Sequence, residues 1–196
     1  ELKVNTHDSD KHEIVRQYNA DLPEQICTVD PGMNSDWNAT HVFFSYNSSV
    51  TPQTICRMEL ATGKIEKLYQ GEKNMFGAAN YFVKREFATN TRDGTRIPLT
   101  IVHHKSVQLE KGSHPMVMIG YGAYSATIDS SYIPHQFIML NKGLVYVYAH
   151  VRGGGELGEE WYNQGKQQRK LNSFYDFLAC AKYLIEEKHY TSAEKL

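Results

Sequence analysis

The sequence has no excess of charge of either sign, no long apolar run and no dense set of cysteines. Its 21 Lys and Arg residues oppose 22 Asp and Glu, for a formal net charge of -1. No basic field is therefore available to hold nucleic acid or an anionic membrane surface. The longest apolar-rich stretch, residues 143–151, is far too short to cross a bilayer. The cysteines, Cys27, Cys56 and Cys180, are odd in number and far apart. They make neither a zinc-ligand spacing nor a disulfide framework. They fit reduced, buried thiols in a cytoplasmic protein. The Asn-x-Ser/Thr triplets at Asn38 and Asn47 read as chance occurrences. The chain opens Glu1-Leu2-Lys3 without a methionine or leader and closes at Leu196, where a helix should hand over to a strand. This predicts an internal piece of a longer polypeptide.

What is present divides into two regions. Residues 1–75 read as all-β, with β-prone runs at 26–29, 41–47, 54–60 and 64–70 separated by Pro-, Gly-, Asn- and Ser-rich turns. Four short strands make about one blade of a β-propeller, which needs neighbours to cover both faces. Residues 76–196 change to α/β character. A hairpin is expected over 81–104 around Thr91-Arg92-Asp93-Gly94, a strand at 116–120, a helix at 133–141 and a buried strand at 144–151. Ser173 and Asp176 form a capping signature for a further helix, in which Phe174, Phe177, Leu178, Ala181, Leu184 and Ile185 fall on one face.

Two glycine-rich stretches follow the expected strands of this second region: Gly120-Tyr121-Gly122-Ala123-Tyr124 and residues 152–158. In an open α/β sheet such loops lie where ligands bind. Periodicity alone favours reading them as two tight turns that join strands to helices. Residues 152–158 lack the phosphate-cradling G-x-x-x-x-G-K-[ST] pattern, and a nucleotide role is given little weight. His103 and His104 are neighbours on a strand and point to opposite faces, so they do not chelate one ion. No cofactor is expected. No serine lies in Gly-x-Ser-x-Gly, and Ser113 is followed by His114-Pro115. Cys180 falls mid-helix, which suits packing rather than catalysis.

These stretches, extended by Ala149-His150-Val151-Arg152-Gly153-Gly154-Gly155-Glu156-Leu157-Gly158, Trp161-Tyr162 and Asn172-Ser173-Phe174-Tyr175-Asp176-Phe177, resemble the prolyl oligopeptidase family. The resemblance covers residues 76–196 well and residues 1–75 loosely. Ile128-Asp129 and the run 150–158 draw it toward the oligopeptidase B branch. The resemblance implies a β-propeller capping an α/β-hydrolase domain, of which residues 1–75 are the end of the propeller and 76–196 the first half of the hydrolase. It implies a Ser-Asp-His triad cleaving short peptides after Arg or Lys, with the propeller restricting access. Tyr121 matches a tyrosine whose hydroxyl helps form the oxyanion hole. Asp129 matches an acid that contacts basic substrate side chains. A second acid expected two positions on is replaced by Ser131. Tyr124 matches an aromatic at the substrate cleft. The triad itself is expected beyond Leu196, so the partner this chain needs is the remaining segment of the same polypeptide, and alone it should be inactive. The alternatives are a non-catalytic relative acting as a binding module, and another α/β-hydrolase such as an esterase.

Overall fold

The computed structural model describes residues 3–8, 13–19, 21–22, 24–73, 75–128 and 131–196, with side chains from residue 21 onward. Two compact units are present, Glu1–Lys73 and Asn74–Leu196.

In the first unit, strands β1 (Lys3–Asp8) and β2 (Glu13–Asn19) pair antiparallel, with an irregularity between Thr6 and His7. The strand-like runs read from the sequence did not include this pair. Strands β3 (Thr28–Pro31), β4 (His41–Asn47), β5 (Thr54–Glu59) and β6 (Ile65–Gln70) form an antiparallel meander in the order β3-β4-β5-β6. β3 starts two residues later than the expected 26–29. Beyond Pro31, the Asn34 side chain continues the pairing. Its Oδ1 accepts from the Phe43 amide at 2.7 Å and its Nδ2 donates to the Phe43 carbonyl at 2.9 Å. Alternation along β4 and β5 buries Phe44, Tyr46, Cys56 and Met58 together. The other face carries Phe43, Ile55 and Tyr69, all exposed. Cys56 and Cys180 are buried as expected, but Cys27 is only half-buried.

The second unit begins with the hairpin β7 (Tyr81–Thr89) and β8 (Arg96–His104). Its turn is closed by the Gly94 amide on the Asn90 carbonyl at 2.8 Å. Strand β9 (Met116–Gly120), helix α1 (Gln136–Asn141) and strand β10 (Val145–Ala149) follow. The sheet order is β7-β8-β10-β9, with β10 antiparallel to β8 and parallel to β9. The two inner strands supply Leu99, Ile101, Val102, Val145, Val147 and Ala149, none of which is exposed. Strands covered on both faces lose polar alternation. α1 begins at Gln136 rather than at 133, because the segment around Pro134 forms a turn that hands the Gln136 amide to the Ile133 carbonyl at 3.0 Å. Among the described residues no helix is long and apolar enough to cross a membrane.

Helices α2 (Glu159–Asn163) and α3 (Leu171–Lys182) complete the unit, and α3 continues into a wider π-type turn over Tyr183–Glu187. Here the structure corrects the capping expectation. Lys170 occupies the N-cap position, no side chain caps the helix, and Ser173 and Asp176 lie inside α3 and are buried. The predicted apolar face is also rotated. Asp176, Cys180, Tyr183 and Leu184 are buried, whereas Phe174 and Leu178 are more than half exposed. The cause is a buried counter-ion: Asp176 must face inward to meet Arg152, and that setting carries Phe174 and Leu178 outward. Burial pushes the Cys180 thiol well up, so it packs as a neutral thiol. Leu184→Ala is therefore expected to cost about 2–5 kcal/mol, and Phe174→Ala to stay within about 0.5 kcal/mol. Urea denaturation of the two variants checks this, and equal losses would restore the predicted face.

Candidate active site

Because β9 and β10 are parallel, with Gly120 opposite Ala149, the chain leaves both strands at the same end of the sheet. The two glycine-rich loops therefore lie side by side, at the strand ends where open α/β sheets bind ligands. They interlock through their backbones. The Ser125 amide donates to the Gly153 carbonyl at 3.2 Å, and the Gly155 amide to the Ala126 carbonyl at 3.4 Å. Gly122 (φ 64°) and Gly153 (φ 95°) hold left-handed conformations that L side chains resist. A Cβ at Gly122 would lie 2.6 Å from Val151 Cγ2, and one at Gly153 would lie 2.8 Å from the Gly165 carbonyl.

Read letter by letter, Gly153-Gly154-Gly155-Glu156-Leu157-Gly158 matches G-x-G-x-x-G. The structure gives those glycines another use. The amides of Gly153, Gly154, Gly155 and Gly158 donate to Trp161, Val151, Ala126 and Gly155 carbonyls. A phosphate cradle needs such amides pointing outward. This loop spends them on its own fold.

Beneath the loops lies a buried charge network. Arg152, 2% exposed, forms a fork on Asp176, with Nε to Oδ2 at 2.8 Å and Nη2 to Oδ1 at 2.6 Å. Its Nη1 reaches Asp93 Oδ2 at 2.6 Å. Asp176 also accepts from the Arg152 amide at 3.1 Å and from Asn90 Nδ2 at 2.8 Å. The hairpin turn, the second glycine loop and α3 are thus tied to one guanidinium. Burial alone would raise the Asp93 carboxyl, but the Thr95 amide and Arg152 together hold it below its ordinary value. At the first turn of α3, Ser173 Oγ donates to the Arg152 carbonyl at 2.5 Å and lies 3.3 Å from the Gly122 and Gly165 carbonyls. Lys170 Nζ donates to the Gly122 carbonyl and, at 3.1 Å, to Ser173 Oγ. Burial pulls the Lys170 pKa below the ordinary lysine value.

A second buried pair holds the far side of the first loop. Glu156 Oε1 accepts the Ile128 amide at 2.9 Å and lies 3.6 Å from His150 Nδ1, while His150 Nε2 contacts Thr100 Oγ1 at 2.8 Å. Burial would raise the Glu156 carboxyl. His150 and the Ile128 amide outweigh it and hold the pKa below the usual carboxylate value.

Of the residues singled out from sequence, Tyr121 and Tyr124 share the first loop. Tyr121 is 54% exposed, and its hydroxyl has no hydrogen-bond partner among the described residues. Tyr124 is 84% exposed and, with Ser125, adopts a left-handed backbone (φ 55° and 56°). Neither tyrosine is a core residue. Two adjacent non-glycine residues in that region store strain, a feature that clusters at functional sites. Asp129 lies outside the described residues. A cleft of about 280 Å³ opens beside Tyr124, bordered by Ala123, Tyr162, Lys166 and Lys170. Sequence reasoning missed Arg152, Glu156 and Lys170 as positioning groups. The available signal was a lone arginine between an apolar strand and a run of glycines, a place where its charge has to be buried.

Residues 130–196 match the prolyl oligopeptidase family. The chain is 34% identical over 173 residues to Protease 2 of Moraxella lacunata, covering 88% of this chain and 25% of that protein. The chain belongs to the prolyl oligopeptidase family. Other members it matches differ in their names. Dipeptidyl aminopeptidase BI of Pseudoxanthomonas mexicana is 36% identical over 161 residues, covering 82% of this chain and 21% of that protein. The prolyl endopeptidase of Dictyostelium discoideum is 31% identical over 187 residues, covering 93% and 24%. The solved structure of oligopeptidase B from Leishmania major superposes with a TM-score of 0.83 at 30% identity, covering 98% of this chain and 27% of that one. The chain thus spans about a quarter of the length of the family members it matches. Tyr121 and Tyr124 precede the stretch that carries the family match.

Arg152→Met alone is expected to cost about 3–5 kcal/mol, because it leaves Asp176 buried without a counter-charge. The double change Arg152→Met/Asp176→Leu should recover a large part of that loss, as a double-mutant denaturation cycle will measure. Additive losses would mean that the pair acts independently. A folded-state pKa below the unfolded value gives stability that is present above the carboxylate range and lost as pH falls through it. Glu156→Gln should therefore make stability less sensitive to acidification. Denaturation midpoints at neutral and acid pH test this, and an unchanged acid slope would remove Glu156 from the account.

Proposed function

We propose that this chain is part of a serine peptidase that hydrolyses short peptides after Arg or Lys, and that Tyr121 donates to the oxyanion of the acyl-transfer step. The observation that carries the proposal is the exposed Tyr121 hydroxyl at the shared carboxyl end of β9 and β10, on a loop locked from below. A fixed donor aimed at a developing oxyanion contributes about 3–4 kcal/mol to lowering the barrier. Locking is what makes it effective, since the donor need not reorganise during reaction. Asp129 and Tyr124 are proposed substrate contacts, with Asp129 facing a basic side chain. Glu156 supports this by fixing the Ile128 amide immediately before Asp129.

The proposed architecture is the end of a β-propeller over residues 1–75 and the first half of an α/β-hydrolase domain over residues 76–196. The antiparallel meander with apolar residues on both faces supports the first part. The mixed sheet with its parallel β9–β10 pair supports the second. The nucleophile, acid and base are assigned to the rest of the same polypeptide, because no serine here lies in a nucleophile-elbow motif. The buried, unpaired thiols of Cys56 and Cys180 support a cytoplasmic setting.

In the intact protein, Tyr121→Phe is expected to lower kcat about 100- to 1,000-fold with little change in KM, since the lost contact is made mainly in the transition state. Steady-state kinetics on a fluorogenic peptide with Arg before the scissile bond, run beside a melting curve, checks this. Wild-type turnover in Tyr121→Phe would remove Tyr121 from the catalytic list. Cleavage after Pro but not after Arg or Lys would overturn the proposed specificity, and inertness toward all peptides would favour a binding module or an esterase. Residues 1–196 alone should show no turnover.

A further inference from the structure

The cleft beside Tyr124 carries positive charge that has no part in the proposed oxyanion contact of Tyr121. Its walls are Ala123 and Tyr124 from the first loop and Tyr162 from α2, and its cationic groups are Lys166 and Lys170. Lys166 Nζ stands 4.4 Å from the centre of the Tyr162 ring. Lys170 Nζ spends hydrogen bonds on the Gly122 carbonyl and Ser173 Oγ, both uncharged acceptors. Among the described residues no carboxylate forms an ion pair with either lysine. The nearest acids in sequence, Glu159 and Glu160, are exposed and do not line the cleft, and Glu160 already accepts from Gln164 at 3.0 Å. With no carboxylate to balance these ammonium groups, the cleft favours a bound anion. The same field disfavours a basic side chain at this spot, so the cation of the substrate belongs elsewhere and Tyr124 does not hold it.

The volume of about 280 Å³ lies near the lower end for ligand clefts, enough for the end of a peptide but not for a folded partner. The tyrosine faces suit an apolar side chain and the ammonium groups suit a carboxylate. A short linear peptide with a free C-terminus and an apolar last residue ends in that combination. We infer that the cleft formed by Tyr124, Tyr162, Lys166 and Lys170 is a subsite for the C-terminal carboxylate of a short peptide substrate. This rests on the peptide-hydrolase reading. It adds a ruler to it, since the cleft lies only a few residues along the loop from Tyr121 and the distance from the reacting bond to the free terminus becomes part of recognition.

The test uses the intact protein and three labelled peptides of one sequence: a free acid, a C-terminal amide, and an amide with Asp as the last residue. Equilibrium binding is followed by fluorescence anisotropy, and cleavage is measured separately. The free acid should bind roughly five- to tenfold more tightly than the amide, the scale of one hydrogen-bonded charge at a half-exposed site. Raising ionic strength should shrink the difference. Lys166→Gln should bring the ratio close to one, whereas Lys142→Gln, the same charge change at the end of α1 and outside the cleft, should leave it intact. A melting curve confirms that each variant is folded. Equal binding of acid and amide, or a preference that survives Lys166→Gln, overturns the subsite. An Asp-amide that matches the free acid overturns the terminal assignment in favour of a side-chain carboxylate. Carboxylate-dependent binding without cleavage of any peptide would count against the peptidase reading while upholding the subsite.

Discussion

A guanidinium held out of water governs the second unit. Arg152 lies three residues past the end of β10 and precedes three glycines, and because its side chain is buried its charge must be met inside. Asp176 meets it with both oxygens, while Asp93 and Asn90 complete the set. Replacing such a pair with apolar groups is often harmless, whereas removing one partner is not. The value of the pair therefore lies in what it fixes. It sets the rotation of α3, the path of the second glycine loop and the seat of the hairpin turn.

What this base supports is a division between a rigid floor and an exposed rim. The floor consists of backbone carbonyls gathered on Ser173 and Lys170, with glycines packed too closely to admit a side chain. The rim carries Tyr121 and Tyr124, whose rings stand in solvent. The left-handed backbone at Tyr124 and Ser125 persists because the Ser125 amide is tied to Gly153 and the Ala126 carbonyl to Gly155. A group that must meet a short-lived charge needs this arrangement, since misplacement by about 1 Å is enough to spoil preorganisation.

Strand runs with strong period-two or continuous apolar character were legible in the sequence. β4 and β9 fall at the expected residues, and the hairpin forms around Asp93-Gly94. The pair β1–β2 was not, because its sequence mixes polar and β-branched types without a regular apolar alternation. The largest misreading was α3. Ser173 and Asp176 have the spacing of a cap, and only the tertiary demand of Arg152 reveals that both point into the protein. The rotation of an amphipathic helix is ordinarily set by its apolar stripe. Here a buried ion pair overrides it and leaves Phe174 and Leu178 outside. The loop tyrosines were legible as candidates through their glycine neighbours, while the lysines of the adjacent cleft come from the segment between α2 and α3 and meet Tyr124 only in three dimensions.

The span of these contacts bears on the order of assembly. The hairpin β7–β8 closes locally, but Asn90 in its turn bonds Asp176, 86 residues further along the chain. The β9–β10 pair is parallel and needs the whole crossover through α1 before it can zip. Non-local pairings form slowly because loop-closure entropy precedes their reward. The anchoring of the glycine loops by Asp176 therefore depends on contacts available only once α3 has been synthesised. A nascent chain halted before residue 176 would have the strands of this unit but would lack the contact from α3 that anchors the rim, and Asp93 would be the one of the two acids on Arg152 already in place.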